Sequence, residues 1–430
     1  MVFYSTKSGK DKHTFDLPFE QAIFIGPAPD GGLFMPRKFP TLEKSFIETL
    51  EGKSLAEIGA YIIHPFMDEE IDVVTSIVQK AFTFPAPLKN IGDEYKFLEL
   101  FHGPTLAFKD FGARFMAQTM AYYRPKNAEI NILVATSGDT GGAVASAFSG
   151  LEGFKVYILF PKGKVSPIQQ RQLTTWNSNV VAIEVNGTFD DCQSLVKKAF
   201  ADKDLRVNKV FGSANSINIA RLLPQMVYYF EAYRQAEDKY DLNFVVPSGN
   251  FGNLTAGLFA KKMGLPIAKF IAATNINDVV PQYLINGNYL PRVSRETISN
   301  AMDVGDPSNF TRMLDLVHGP DDSSTWNNLN EEIKGYVVDD DTTLRTINEV
   351  YDKFGYIVDP HTAVAYEAAR ANPGNNIIVS TAHWAKFAGT IEKAIGVLPE
   401  LPTTLSNLLT LSERMKHIKA NYHDLLDIIK

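Results

Sequence analysis

Short apolar runs that alternate with helix-length segments constrain the fold of this chain more than any other feature. From about Asn131 onward, β-branched runs follow one another in the order INILVAT, KVYILF, VVAIEV, NFVVPS, KFIAAT and NIIVST. Strands separated by helical segments are typical of βαβ units, in which neighbouring strands run parallel and helices cover both faces of the sheet. The sequence therefore predicts an α/β core.

The length of 430 residues exceeds what one hydrophobic core usually organises, so we expect two or three lobes with a cleft between them. Residues 1–92 differ from the rest, because proline-rich stretches (GPAPDGGLFMPRKFP and FPAPLKN) flank a helical middle segment. We predict a small N-terminal domain over 1–92, one α/β lobe over 93–240 and a second over 241–430. The amphipathic end, LSNLLTLSERMKHIKANYHDLLDIIK, is predicted to pack outside as helices.

Charge and cysteine content narrow the possible partners and the compartment. The net charge of −7 argues against non-specific binding to nucleic acid or to an anionic membrane. No segment has the run of about 18 apolar residues that a membrane span needs. A single cysteine, Cys192, excludes internal disulfides, fits a reducing compartment and reads as a buried structural thiol. We therefore expect a cytoplasmic monomer or homodimer with no nucleic-acid or membrane partner.

Lys109 stands in the phenylalanine-rich segment ELFHGPTLAFKDFGARFMAQTM, beside the apolar stripe of a predicted helix. A lysine is almost never fully buried unless it is paired or chemically used. One interpretation is a side chain whose stem covers the helix start while its amine reaches solvent. The other is a Schiff base to a carbonyl cofactor, which removes the cost of burying the charge.

The turn in VATSGDTGGAVASAF follows a predicted strand and precedes an alanine-rich helix. Free backbone N–H groups at such a helix start, together with the hydroxyls of Thr136, Ser137 and Thr140, form a candidate anion site. The alternative is a tight connection without a ligand.

A second turn between a predicted strand and a predicted helix lies in FVVPSGNFGNLTAGLFA. Here Gly249 and Gly252 allow the backbone to approach a ligand closely, and Asn250 and Asn253 can cap the helix or donate. Two such turns at the carboxyl ends of strands indicate anionic ligands at a topological switch point.

Two further segments carry polar groups that have ordinary explanations as well as functional ones. In NIIVSTAHWAKFAG the strand ends at Ser380 and Thr381, whose hydroxyls either terminate the strand or hydrogen-bond a ring nitrogen. In GSANSINIARLLPQ, Asn215, Asn218 and Arg221 lie near a helix start that suits a phosphate, unless Arg221 is a surface side chain.

Other catalytic motifs are absent from the sequence. EGKS lacks the first glycine of a P-loop, and neither G-x-S-x-G nor H-E-x-x-H occurs. The eight histidines show no metal-ligand spacing, so we expect no metal. His102, His361 and His383 lie beside candidate segments, where structural roles and roles in the site are both open.

An ordered set of motifs between residues 30 and 388 resembles the threonine synthase family of fold-type II pyridoxal-phosphate enzymes. The motifs are DGGLFMP, FHGPTLAFKDFGARF, TSGDTGGAV, NSINIARLLPQ, PSGNFGN, AMDVGDPSN, GYIVDPHTAV and STAHWAKF. The resemblance implies a fold similar to the tryptophan synthase β subunit, with two α/β lobes of mostly parallel sheets and a small N-terminal domain.

The resemblance also implies residue roles around a pyridoxal 5′-phosphate cofactor. Lys109 would hold the cofactor as an internal aldimine, and Thr381 would hydrogen-bond its pyridine nitrogen. The residues implied for its phosphate are Gly249, Asn250, Phe251, Gly252 and Asn253. Those implied for the substrate are Thr136, Ser137, Asp139 and Thr140 near its carboxylate and Asn215 and Arg221 at its phosphate. Related enzymes often carry Asn in place of Asp139, so we expect N–H groups and hydroxyls to bind the carboxylate, because Asp139 would repel it.

The reaction implied by the resemblance converts O-phospho-L-homoserine and water to L-threonine and phosphate, with Lys109 moving protons. A threonine/serine dehydratase or a β-replacement synthase would share the lysine and both turns but has no use for Asn215 and Arg221. A phospholyase acting on another phosphorylated amino alcohol, or a non-catalytic binder, is a further alternative. A nicotinamide-dependent dehydrogenase lacks support, because no G-x-G-x-x-G motif with its acidic partner is present.

Overall fold

The structure, a computed structural model, describes residues 1–9, 13–176 and 179–430, with the backbone only at 206 and 208. The described strands are β1 (Val2–Ser5), β2 (Leu17–Pro18), β3 (Phe34–Pro36), β4 (Leu88–Ile91), β5 (Tyr95–Glu99), β6 (Ile130–Ala135), β7 (Phe154–Pro161), β8 (Val180–Asn186), β9 (Val210–Ser213), β10 (Asn243–Pro247), β11 (Lys269–Thr274), β12 (Ile333–Val337), β13 (Asn376–Ser380) and β14 (Lys416–Lys419).

Helices connect and cover these strands. The described α-helices are α1 (Phe19–Ile25), α2 (Lys44–Glu48), α3 (Leu55–Ile63), α4 (Ile71–Ala81), α5 (Lys109–Tyr123), α6 (Asp139–Phe148), α7 (Pro167–Thr174), α8 (Phe189–Ala201), α9 (Lys203–Asn208), α10 (Ile219–Leu222), α11 (Met226–Gln235), α12 (Gly252–Lys262), α13 (Val279–Asn286), α14 (Phe310–Leu316), α15 (Asp322–Glu332), α16 (Asp340–Phe354), α17 (Pro360–Ala371), α18 (Ala388–Ile395), α19 (Thr403–Thr410) and α20 (Tyr422–Ile429). Short 3₁₀ helices occur at Leu50–Gly52, His64–Phe66, Leu223–Gln225, Asn300–Met302 and Trp384–Phe387.

Two parallel sheets form the α/β core that the strand and helix alternation predicts. One has the order β12-β11-β10-β13-β5-β4, in which β4 alone is antiparallel to its neighbour, and the other has the all-parallel order β14-β8-β7-β6-β9. All six apolar runs form strands, namely β6, β7, β8, β10, β11 and β13. They are almost continuously buried, as expected for strands covered by helices on both faces.

Strand pairing crosses both predicted domain boundaries. β4 and β5 pair beside β13, which comes from the far end of the chain, and β14 pairs beside β8 of the other sheet. The prediction of helices alone for the C-terminal segment is wrong at β14. A helix would leave the hydrogen-bonding edge of β8 unpaired, whereas the strand pairs with it from Lys416 to Lys419 and tucks Ile418 inward.

The N-terminal region adds an antiparallel sheet in the order β2-β1-β3, with α1 between β2 and β3 in the chain and helices α2 to α4 after β3. The predicted helical middle segment becomes α2 and α3, and a capping box between Ser54 and Glu57 starts α3. Phe3 and Phe19 belong to the same hydrophobic cluster as Phe111 of α5. The N-terminal sheet is therefore packed on the α/β core. Of the described helices, none has the length and apolar character needed to cross a membrane.

Candidate active site

The segments that follow β6, β10 and β13 line a cleft of about 690 Å³. The carboxyl ends of parallel strands are where α/β folds bind ligands. The cleft brings together polar groups from both sheets. The predicted site residues that line it are Lys109, Thr136, Ser137, Asp139, Thr140, Asn215, Arg221, Gly249, Asn250, Phe251, Gly252, Asn253 and Thr381.

Lys109 is the first residue of α5 and lies beside the end of β13. The N–H of Phe108 donates to the carbonyl oxygen of Thr381 at 2.8 Å, which fixes the helix start against that strand. The Lys109 side chain is 15% exposed, and its Nζ lies 3.9 Å from Oδ2 of Asp139. Burial lowers the pKa of Lys109 to about 8, although Asp139 acts in the opposite direction. The amine faces a buried carboxylate in the cleft, so the interpretation in which it reaches solvent does not describe it.

Asp139 begins α6 and is neutralised by a residue from the segment after β13. Nζ of Lys386 lies 2.8 Å from Oδ1 of Asp139, and Nε2 of Gln169 donates to the same oxygen at 2.8 Å. Burial opposes ionisation of Asp139, but Lys386 and Lys109 hold its pKa well below the usual range. The isolated carboxylate that we expected to repel a substrate anion is therefore half of an ion pair.

The turn before α6 is shaped by Thr136. Its Oγ1 accepts hydrogen bonds from the N–H groups of Gly138 and Gly141, each at 2.9 Å. The Thr136 hydroxyl thus organises the turn, while Gly138 provides no side-chain cap for α6. The uncapped N–H groups at the helix start, near Ser137 and Thr140, can receive an anion.

The turn between β10 and α12 is held from outside by side chains. Phe251 has a left-handed backbone conformation with φ of 57° and gives α12 no side-chain cap. Asn250 donates through Nδ2 to Oγ of Ser216 and accepts at Oδ1 from the N–H of Ser308 at 2.6 Å. Asn253 accepts at Oδ1 from Oγ of Ser248 at 2.9 Å. Both asparagine side chains serve the turn, which leaves its backbone N–H groups as the donors for an anion.

The two glycines of this turn meet different surroundings. A Cβ on Gly249 would lie 2.6 Å from Cα of Met302 and 2.9 Å from the carbonyl oxygen of Ala301. A Cβ on Gly252 would find its nearest neighbour, Nδ2 of Asn309, at 3.4 Å. Gly249 is therefore required by the protein itself, and Gly252 leaves room at the start of α12.

This contrast gives a paired prediction. Gly249→Ala will destabilise the unliganded protein by about 1–3 kcal/mol, because a backbone neighbour cannot move aside as a side chain can. Gly252→Ala will leave the unliganded protein at least as stable but weaken binding of the pyridoxal phosphate that the sequence resemblance implies, since the methyl group intrudes on the space for a ligand. Thermal unfolding without cofactor and cofactor titration by absorbance separate the two effects. Equal unfolding temperatures for the Gly249 variant and the wild type would contradict the steric argument.

A further group of polar residues in the same cleft lies around α10. Arg221 is 2% exposed and donates through Nη1 to the carbonyl oxygen of Ala214. Its Nε, like Oδ1 of Asn215, is buried without a hydrogen-bond partner among the described residues. A buried unpartnered donor costs free energy unless a ligand uses it. The surface-arginine alternative is wrong, because Arg221 is buried in the cleft. Asn218 instead caps α10 and ties it to the carbonyl oxygen of Ile23 at 2.7 Å.

The three histidines make contacts that support neighbouring segments. Nε2 of His361 accepts from the N–H of Ala301 at 3.2 Å while Nδ1 meets Oδ2 of Asp359 at 2.6 Å, an arrangement that places the proton on Nδ1. His383 caps the 3₁₀ helix after β13, and burial lowers its pKa to about 4. His102 pairs with Glu99. Of the three, His361 lines the cleft.

Sequence reasoning missed two buried cations. Lys386 stands in the apolar stretch WAKFAG and is 0% exposed, so the signal that singled out Lys109 could have found it. Arg312 in α14 donates to the carbonyl oxygens of Phe34 at 3.0 Å and Ile217 at 2.7 Å and to Oδ1 of Asn309 at 2.8 Å. It thus ties the N-terminal sheet to the segment that contains Asn215. The local sequence around Arg312 gives no sign of these distant partners.

A buried lysine with a lowered pKa that shares a cleft with two uncapped helix starts suits a carbonyl cofactor that carries a phosphate. The family model described as pyridoxal-phosphate dependent enzyme matches residues 84–380, that described as threonine synthase N terminus matches 2–82, and that described as threonine synthase, C-terminal matches 362–429. The fold and the site define a pyridoxal-phosphate-dependent enzyme of fold type II.

Similar sequences and structures identify the family within this class of enzymes. Threonine synthase of Escherichia coli (strain K12) is 43% identical over 98% of this chain and 97% of its own length. The crystal structure of the Escherichia coli enzyme superposes with a TM-score of 0.92 at 41% identity, covering 100% of this chain and 99% of that one. The PLP-bound threonine synthase from Brucella melitensis gives 0.93 at 36% identity, covering 100% and 98%. The chain belongs to the threonine synthase family.

Proposed function

We propose that this enzyme converts O-phospho-L-homoserine and water to L-threonine and phosphate. The observation that supports the proposal is that one cleft holds Lys109 and two candidate anion sites: the uncapped start of α6 and the buried, unpartnered Nε of Arg221. A substrate with a carboxylate at one end and a phosphate at the other matches two such sites in one cleft.

The cofactor is proposed to occupy the space between the turn before α12 and the end of β13. Gly249, Asn250, Phe251, Gly252 and Asn253 would hold its phosphate, mainly through backbone N–H groups, because the asparagine side chains serve the turn. Thr381 would hydrogen-bond its ring nitrogen. When bound, pyridoxal phosphate supplies an electron sink for carbanion chemistry.

The substrate is proposed to bind between α6 and α10. Ser137, Thr140 and the N–H groups at the start of α6 would hold its carboxylate, with Thr136 fixing the turn and the Asp139–Lys386 pair adding no net charge. Arg221 and Asn215 would hold its phosphate, which is also the leaving group.

Lys109 is proposed as the group that moves protons along the substrate. Burial lowers its pKa to about 8, so near neutral pH a useful fraction of the free amine can accept a proton. Lys109 lines the same cleft as both candidate anion sites, and its Nζ lies 3.9 Å from Oδ2 of Asp139 at the start of α6.

Two alternatives from the same cofactor class remain to be separated by experiment. A threonine/serine dehydratase would give no reason for a buried, unpartnered Arg221 at a second anion site. A phospholyase acting on another phosphorylated amino alcohol would use that site equally well. The products distinguish them, because only the proposed reaction adds water back to the substrate.

Product analysis of the purified holoenzyme tests the proposal. Incubation with O-phospho-L-homoserine should yield phosphate and L-threonine in equal amounts, and L-threonine alone should not be deaminated. Phosphate accompanied by an oxo acid in place of threonine would assign the protein to the phospholyases. An oxo acid formed from threonine would assign it to the dehydratases.

We propose that the enzyme acts as a monomer or homodimer in the cytoplasm, without a nucleic-acid partner; the net charge of −7 supports the last point. We also propose domain boundaries at residues 92 and 240. Three strands pair across these boundaries: β4 with β5, β5 with β13, and β14 with β8.

A further inference from the structure

Lys386 is a second buried lysine next to the site. It is 0% exposed, and its Nζ lies 2.8 Å from Oδ1 of Asp139 and donates to the carbonyl oxygen of Thr105 at 2.8 Å. The other carboxylate oxygen of Asp139, Oδ2, faces Nζ of Lys109 at 3.9 Å. Asp139 therefore contacts two lysines, and its distance to Lys386 is shorter than its distance to Lys109.

Burial makes this arrangement costly unless the charges balance. Without Lys386, Asp139 would present an unpaired carboxylate at the start of α6, where the substrate carboxylate is proposed to bind. Two carboxylates at one site repel each other. The same unpaired charge would hold the proton on Lys109 more firmly, because an opposite charge nearby favours the protonated amine.

We propose that Lys386 is a positioning residue that neutralises Asp139. The start of α6 then accepts a carboxylate, and Lys109 releases its proton. This inference rests on the proposed role of Lys109. It explains how a carboxylate can stand at the start of α6 beside a site for an anionic substrate, because the Asp139–Lys386 pair has no net charge.

Other charged groups also face Lys109. Arg221 from α10 favours the free amine, and Asp359 at the start of α17 favours the protonated one. Asp110, the neighbour of Lys109 in α5, is buried and accepts from the N–H and Oγ1 of Thr105 at 2.9 and 2.7 Å. These side chains are retained in variants at 139 and 386. Because Lys386 also acts to lower the pKa of Asp110, variants that lack Lys386 are compared with each other as well as with the wild type.

Variants of the holoenzyme that remove each charge of the Asp139–Lys386 pair, singly and together, test the proposal. The visible absorbance is titrated with pH in the wild type, Lys386→Met, Asp139→Asn and the double variant, and the midpoint reports protonation of the Lys109 nitrogen. We expect Lys386→Met to raise the midpoint by about 1 pH unit and Asp139→Asn to lower it. The double variant, which again has no net charge, should return close to the wild-type midpoint. KM for the substrate should rise in Lys386→Met and recover in the double variant.

A purely structural Lys386 would change thermal stability without moving the midpoint, and that result overturns the inference. If Lys386→Met fails to fold, the double variant is compared with Asp139→Asn: a higher midpoint in the double variant supports the proposal, and equal midpoints overturn it. A wild-type spectrum without a visible band that depends on Lys109 would overturn the proposed function as well. The two failures are thus distinguishable.

Discussion

Lys109→Ala will reduce kcat by about 10³-fold or more, because the variant loses both the amine proposed to hold the cofactor and the group proposed to move protons. The fold should survive, since the amine lies 3.9 Å from Asp139 and that carboxylate keeps Lys386 as its nearer partner. Turnover of O-phospho-L-homoserine and the visible spectrum of the purified protein measure the two losses. Thermal unfolding checks that the structure is retained.

Lys126→Ala is the matched control for this experiment. Lys126 is exposed in the loop that follows the same helix, α5, and has no contact with the cleft. Its loss should change neither the spectrum nor kcat. If Lys109→Ala kept a wild-type spectrum and turnover, Lys109 would be a structural lysine and the proposed site would be wrong.

Arg221→Ala is expected to raise both KM for O-phospho-L-homoserine and the inhibition constant for inorganic phosphate by about 10- to 100-fold. A hydrogen bond to a charged group contributes about 1.5–3 kcal/mol, and the buried Nε of Arg221 has no partner among the described residues that could replace the ligand. Steady-state kinetics with added phosphate measure both constants.

Two further variants show whether the loss arises at the phosphate. Arg221→Lys keeps a charge in the pocket but not the planar pair of donors, so its effect should be intermediate. Arg345→Ala removes an exposed arginine of α16 and should behave as wild type. An Arg221→Ala enzyme that folds and retains normal substrate KM and phosphate affinity would exclude Arg221 from the substrate site.

Local patterns in the sequence were sufficient for the elements that carry the site. Six apolar runs predicted six buried strands, and the turns after β6 and β10 lie at helix starts as expected. Cys192 is buried as predicted, and burial raises the pKa of its thiol to about 12. These features follow from the chemistry of a few consecutive residues: β-branched side chains, glycine in turns and one charge in an apolar run.

Contacts between segments that are far apart in the sequence could not be predicted from local sequence patterns. Lys416–Lys419 forms the strand β14 because it hydrogen-bonds to the edge of β8, and the sequence of these four residues does not predict this partner. Arg312 likewise finds carbonyl oxygens in the N-terminal sheet and before α10. Such contacts depend on how the whole chain packs.

The sequence by itself determined the α/β class, the position of the lysine and the order of the motifs that mark the family. The tertiary structure alone decided how the buried charges are balanced. Asp139 looked like an obstacle to an anionic substrate until the fold placed Lys386 beside it at 2.8 Å. The physical reason is that the cost of a buried charge depends on its neighbours in space, whereas a sequence pattern records only its neighbours along the chain.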